Sequence, residues 1–137
     1  MTNDSNVVIL IIPMAAPSSN REWRNYNGRA VLNKEVKEFN QIVALTLRGQ
    51  HVPNDWPFYR VEIVVEPKRR SGDTDNRQKP VLDALTKCGF WPDDKNVAFS
   101  SSQFGDVHKP FGRTFVRITR MEKKFDTNQT FVKELNI

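Results

Sequence analysis

Tyr59-Arg60-Val61-Glu62-Ile63-Val64-Val65-Glu66 alternates cleanly: Tyr59, Val61, Ile63 and Val65 fall on one side, and Arg60, Glu62, Val64 and Glu66 on the other. Side chains of a strand leave opposite faces in turn, so this stretch reads as a β-strand of period two. Pro67 ends it, and Lys68-Arg69-Arg70 follows. The period then changes. Residues 77–88 carry Leu82, Leu85 and Cys88 at helical spacing, and Gly89 terminates the pattern. Pro80 is compatible with a helix only in its first turn and disfavours helical backbone at Lys79, so the regular helix is expected to begin later than the stripe alone suggests.

Farther out, Thr114 to Met121 reads as another strand, with Phe115, Arg117 and Thr119 opposing Val116, Ile118 and Arg120. Residues 96–100 and 104–107 are further strand candidates. Upstream, Asn33 can cap a helix running to about Arg48, on which Val36, Phe39, Ile42, Val43 and Leu47 recur at helical spacing before Gly49. Asn27-Gly28 is a tight-turn signal, with Arg29 to Leu32 as one strand of its hairpin. Val7-Val8-Ile9-Leu10-Ile11-Ile12 is apolar throughout, which suits an internal strand covered on both faces. Helices and strands mix without regular βαβ alternation. The expected class is α+β: a small mixed sheet with two main helices packed against it.

The chain has 137 residues, a length that suits one domain, with residues 1–121 as its body and 122–137 as a polar extension. That extension reads as a tail, or as a short helix that docks on a partner. Lys and Arg number 21 against 16 Asp and Glu, a net charge of +5 that favours a polyanionic partner but is equally compatible with a merely soluble basic protein. One cysteine excludes an internal disulfide framework and a cysteine-based zinc site, and Cys88 is expected to be a buried structural thiol. The apolar run at residues 7–12 is too short to span a bilayer and has no positive flank like that of a signal peptide, so the cytosol is the expected compartment, with no membrane partner.

Against this basic background the carboxylates of Ser71-Gly72-Asp73-Thr74-Asp75-Asn76 and Trp91-Pro92-Asp93-Asp94 stand out. Mg²⁺ prefers carboxylate, phosphate and water oxygens. In extended backbone Asp73 and Asp75 leave the same face, and a helix followed by a loop can return Asp94 to them. Asp83 is an outer-shell candidate. Lys79 can stabilise charge developing on a phosphate, and Asn76 can bond a phosphate oxygen or a neighbouring carboxylate. Each piece also has a plainer reading. Asp-x-Asp is common turn chemistry, Asp75 or Asn76 can cap the helix, and Pro-Asp-Asp-Lys-Asn can be an ordinary turn. An EF-hand is excluded: counted from Asp73, its Gly falls on Gln78 and its Glu on Ala84. The run Lys68-Arg69-Arg70, and Arg21, Arg24 and Arg29 around Trp23 and Tyr26, suit phosphate contact with base stacking. The aromatics can equally pack on the core.

The ordered stretch Asp73-Thr74-Asp75-Asn76-Arg77-Gln78-Lys79, Leu82-Asp83-Ala84-Leu85-Thr86, Gly89-Phe90 and Asp93-Asp94 resembles the D-x-D-N-x-x-K…D-A-L…G…D-D pattern of RusA-type Holliday junction resolvases of phages and prophages. Pro17-Ser18-Ser19-Asn20-Arg21-Glu22-Trp23-Arg24, with Gly28-Arg29, resembles a second segment of that family. The resemblance covers roughly residues 7–120. It implies a homodimer with two active sites, each cutting one of two opposed strands of a four-way DNA junction with Mg²⁺ or Mn²⁺ and no small-molecule cofactor. Carried over by position, Asp73, Asp75 and Asp94 are the catalytic metal-binding carboxylates and Lys79 the catalytic lysine. Asn20, Arg21, Arg24, Lys68, Arg69, Arg70, Asn76 and Lys79 are the expected DNA contacts. Pro80 departs from the helix former usual there, and Ala16-Pro17 from Pro-Pro.

Two rival readings use other features. Asp55 and Glu66-Pro67-Lys68 loosely match the Asp…Glu-x-Lys pattern of restriction-type nucleases. A non-catalytic branched-DNA-binding protein would use the same basic surface, but gives no reason for carboxylates to gather, since unneutralised they repel phosphate.

Overall fold

The computed structural model describes residues 6–19, 23–70 and 76–137, with backbone alone at Trp23 and Arg24. In chain order its elements are β1 (Val7–Ile12), β2 (Trp23–Tyr26), β3 (Arg29–Leu32), α1 (Lys34–Thr46), β4 (Phe58–Glu66), α2 (Gln78–Lys87), β5 (Val97–Phe104) and β6 (Arg113–Met121). Short 3-10 turns lie at Asp94–Asn96, Thr127–Gln129 and Phe131–Leu135. Among the described residues the strands form a four-stranded sheet of order β1-β6-β4-β5 and a separate β2–β3 hairpin. β4 and β5 run parallel, joined through α2, whereas β6 is antiparallel to both β1 and β4. The class is α+β, as the sequence predicts.

The alternation of β4 sets the layers. Tyr59, Val61, Ile63 and Val65 are at most 1% exposed and share one cluster with Leu10, Ile12, Val116 and Ile118 from neighbouring strands. Phe39 and Val43 of α1, and Val81, Ala84 and Leu85 of α2, close that cluster, so both helices cover the same face. Each large side chain buried there contributes about 1.5–3 kcal/mol of transfer free energy. Asn33 caps α1 by accepting the Glu35 N–H at 2.9 Å, as its residue type predicts. The hairpin turns through Asn27 and Gly28 at φ 50° and 77°, the positive pair that a two-residue turn requires.

Three expectations need correction. β1 is not internal: among the described residues it is an edge strand paired only with β6, and its burial alternates, with Leu10 and Ile12 buried and Ile9 and Ile11 54% and 53% exposed. An unbroken apolar run cannot distinguish a strand covered on both faces from one whose second face is bare in a single subunit. Cys88 is exposed, because the helix buries the Val81–Ala84–Leu85 side and Cys88 falls past its last turn. The partial desolvation it keeps pushes its thiol pKa up, away from nucleophilic use. Finally, residues 97–104 form one strand ending at Phe104, so 104–107 is no separate element.

The opposite sheet face carries charge and aromatics. Arg117 donates to both oxygens of Glu62 at 3.0 and 2.7 Å, and Arg60 lies 3.4 Å from the same carboxylate. Arg113 pairs with Glu66 and Arg60 stacks over Phe99 at 4.2 Å. Past β6, the extension exposes Phe125 and Phe131. No described helix is long and apolar enough to cross a membrane.

Candidate functional site

Asn76, Arg77 and Gln78 stitch the start of α2 to the loop after β1 and to β5. Asn76 accepts the Gln78 N–H on its side-chain oxygen at 2.8 Å, an Asx-turn one residue ahead of the N-cap, which is Arg77 and makes no side-chain cap bond. Its carbonyl accepts the Ser19 N–H at 2.8 Å, which fastens the loop after β1. Arg77 donates from Nη1 to the Ala16 carbonyl at 2.8 Å, and its guanidinium lies 5.5 Å from the Phe104 ring centroid. Gln78 accepts the Ser100 hydroxyl at 2.7 Å, which holds the helix against β5. Pro80 is buried in the first turn, where the missing N–H forfeits no intrahelical bond. The helix therefore begins at Gln78 despite it.

Lys79 and Asp83 face each other one turn apart, 3.3 Å between Nζ and Oδ2, in an i,i+4 ion pair that leaves both side chains accessible. Lys68, Arg69 and Arg70 are exposed just past β4, available to a polyanion. Asp94 opens the 3-10 turn beyond the far end of α2 and is exposed. Its neighbour Asp93 takes the turn's structural role by accepting the Lys95 N–H at 2.9 Å, and that bond holds the Asp93 carboxyl below the usual carboxylate range. The turn is anchored from behind. Buried Trp91 donates to the Thr86 hydroxyl at 2.8 Å and packs against Tyr59, ring centroids 5.7 Å apart.

Of the residues singled out by sequence, the structure brings Lys79 and Asp83 together. Asp94 lies in the short turn that connects α2 to β5. Asp73, Asp75, Asn20 and Arg21 lie outside the described residues, as does the side chain of Arg24. Among the described residues no group of three His, Cys, Asp or Glu side chains can hold a metal. A cation site here needs carboxylates from positions 73 and 75. The restriction-type rival is overturned. Asp55 precedes β4 while Glu66 ends it, a separation of about 25 Å at 3.3 Å per residue. Glu66 is moreover engaged by Arg113.

Sequence reasoning passed over the residues that hold the neighbouring loops. Thr114, fully buried, accepts the Ala16 N–H and donates to the Met14 carbonyl, both at 2.9 Å. Gly112, at φ +72°, packs so closely that an added Cβ would lie 2.5 Å from the Ala15 Cβ and 2.6 Å from the Glu66 carbonyl. Only the glycine itself hints at such a contact in sequence; Thr114 and Arg77 carry no sequence signal for it.

A profile of the endodeoxyribonuclease RusA family matches residues 13–119. The crossover junction endodeoxyribonuclease rusA of Enterobacteria phage 82 is 39% identical over 84 residues, covering 59% of this chain and 69% of that protein. The proteins of the same name from Escherichia coli K12 and Shigella sonnei are 38% and 37% identical over the same length and the same shares.

Proposed function

This chain belongs to the endodeoxyribonuclease RusA family, and from that premise we propose that it is a metal-dependent endodeoxyribonuclease that resolves four-way (Holliday) DNA junctions by paired phosphodiester hydrolysis. One observation carries the reading: the family match spans residues 13–119 and takes in both motif segments, the Asp-rich stretch and the Pro-Ser-Ser-Asn loop.

Asp73, Asp75 and Asp94 are the proposed carboxylates for Mg²⁺ or Mn²⁺. The chemistry of this donor set fits a hard cation, since all three offer oxygen and Asp94 is exposed while Asp93 does the capping beside it. When bound, such an ion polarises a phosphate and lowers the pKa of a coordinated water. The chain's own residues do the rest. Lys79 meets negative charge developing on the phosphate, and Asp83 holds its ammonium in place through the 3.3 Å pair. Lys68, Arg69 and Arg70, with Asn20, Arg21, Arg24 and Asn76, grip the DNA backbone and set its register without reading sequence. The work is done in the cytosol of a bacterium or a phage-infected cell.

Paired cutting requires two sites, and a homodimer supplies them. Support for it comes from the uncovered sheet face, where Ile9 and Ile11 stand 54% and 53% exposed beside the Glu62, Arg60 and Arg117 group. An isologous interface is self-complementary, and a patch that carries apolar surface with both signs of charge can pair with a second copy of itself.

A labelled four-way junction mixed with the protein in EDTA and then given Mg²⁺ tests the reading. Binding in EDTA followed by symmetric nicks after Mg²⁺ is expected. Asp75→Asn should bind at least as tightly, having lost a negative charge near phosphate, and should not cut. Equal cleavage by Asp75→Asn and its parent refutes the carboxylate assignment. An intact junction after metal addition to the parent leaves a DNA-binding protein only.

A further inference from the structure

We propose that Arg77 is a positioning residue for junction cleavage: it clamps the loop before the hairpin onto the first turn of α2, and so holds DNA-contacting and catalytic elements in fixed relation. The proposal rests on the nuclease reading above.

Four observations converge on this side chain. First, its Nη1 donates at 2.8 Å to the Ala16 carbonyl, 61 residues away in sequence. The bond crosses between two segments that the chain itself does not tie. Second, the guanidinium lies 5.5 Å from the centre of the Phe104 ring on β5, within cation–π range. Nε is buried with no hydrogen-bond partner among the described residues, so the head group sits packed inside the fold and not out on its surface. Third, the loop it grips is held elsewhere too: Thr114 brackets it through Met14 and Ala16, the Phe111 carbonyl takes the Ala15 N–H, and Asn76 takes the Ser19 N–H. Fourth, Arg77 is the residue immediately before α2, two positions from Lys79 and two from Asp75.

The arrangement has a mechanical meaning. The clamped loop leads directly into residues 20–26, which carry the proposed DNA contacts Asn20, Arg21 and Arg24. The other side of the clamp is the turn that bears Lys79. Neutral fillers could pack the space under Phe104, but only a long donor reaches the Ala16 carbonyl while lying on the ring. Losing the donor would let the two segments shift by fractions of an ångström without unfolding either. Misplacement on that scale lowers turnover far more than it lowers affinity, because affinity comes from many phosphate contacts and turnover from one geometry.

Arg77→Met keeps the stem over Phe104 and removes the donor; Arg77→Lys keeps charge and one donor. Urea midpoints establish that each variant is folded at the assay temperature. Junction affinity is then measured in EDTA, and single-turnover cleavage in Mg²⁺. Arg77→Met should bind within about threefold of the parent and cut on the order of 10- to 100-fold more slowly, with KM little changed. Arg77→Lys should recover part of the rate. Amide exchange at Ala16 and Ser19 should quicken in Arg77→Met. An unchanged cleavage rate overturns the proposal, as does a loss confined to affinity, which would make Arg77 a phosphate contact. If Arg77→Met does not fold, Phe104→Leu is used instead, and an unchanged rate there overturns the proposal equally. Failure of the parent to cut any junction would instead defeat the nuclease reading.

Discussion

Replacing Gly112 by alanine separates two effects that glycine usually confounds. The residue sits at φ +72°, where an L side chain pays about 1–2 kcal/mol for the left-handed conformation. The added methyl must also fit among neighbours. Its Cβ would meet the Ala15 Cβ at 2.5 Å, the Glu66 carbonyl oxygen at 2.6 Å and the Lys68 nitrogen at 3.1 Å. Two of these atoms are backbone, so relief requires moving whole segments, an overpacking penalty of about 1–3 kcal/mol. The sum is roughly 2–5 kcal/mol, a large share of the 5–15 kcal/mol by which ordinary domains are stable. Gly89→Ala is the control: φ is +78° there but nothing lies within 4 Å of the new Cβ, so only the conformational part remains. Urea titration followed by far-UV circular dichroism should put Gly112→Ala about 1–3 kcal/mol below Gly89→Ala, at equal m-values. Because the clash pushes apart Ala15, Glu66 and Lys68, cleavage by the folded fraction should fall as well. If the two variants are equally stable, the close approach of these three segments does not exist, and the loop-clamping argument falls with it.

The other predictions use different groups. Thr114→Val should cost about 1–3 kcal/mol by stranding the buried Ala16 N–H and Met14 carbonyl, while Thr114→Ser retains most of the stability; equal losses would contradict the hydroxyl's role. Lys79→Ala should lower turnover more than junction affinity in cleavage kinetics, and a pure affinity loss would reduce it to a phosphate anchor. Hydrogen bonds from Arg117 hold the Glu62 carboxyl below the usual carboxylate range. A depressed folded-state pKa gives stability that is present above the unfolded value and lost as pH falls through the folded one. Thermal melts of Glu62→Gln should therefore depend less on pH than the parent's below about pH 4, and parallel curves would rule the pair out as an acid-sensitive element.

Periodicity carried the fold because burial is periodic. β4 shows its buried face in sequence as every second residue, and α1 shows its own in Val36, Phe39 and Val43. β1 misled for a physical reason: Ile9 and Ile11 are apolar although one subunit leaves them bare, so hydrophobicity alone could not tell edge from interior. Cys88 misled because one more residue of assumed helix moved it onto the buried stripe. Lys79 and Asp83 were each singled out in sequence but not as a pair, although four-residue spacing on a helix makes them neighbours. The roles of Arg77, Thr114 and Gly112 were not legible. Arg77 and Thr114 bond carbonyls 61 and 100 residues away, and Gly112 abuts backbone of a distant strand end, contacts that nothing local in sequence encodes.

The strand order bears on how the molecule can come into being. β6, last of the strands, sits between β1 and β4, and its register joins Val7 to Thr119. β4, α2 and β5 are contiguous and can associate while the chain is still emerging from the ribosome. β1, made first, must wait for residues 113–121 before its strand partner exists. A nascent chain is therefore a nuclease without its middle plank, and any truncation short of that strand removes the centre of the sheet instead of trimming its border.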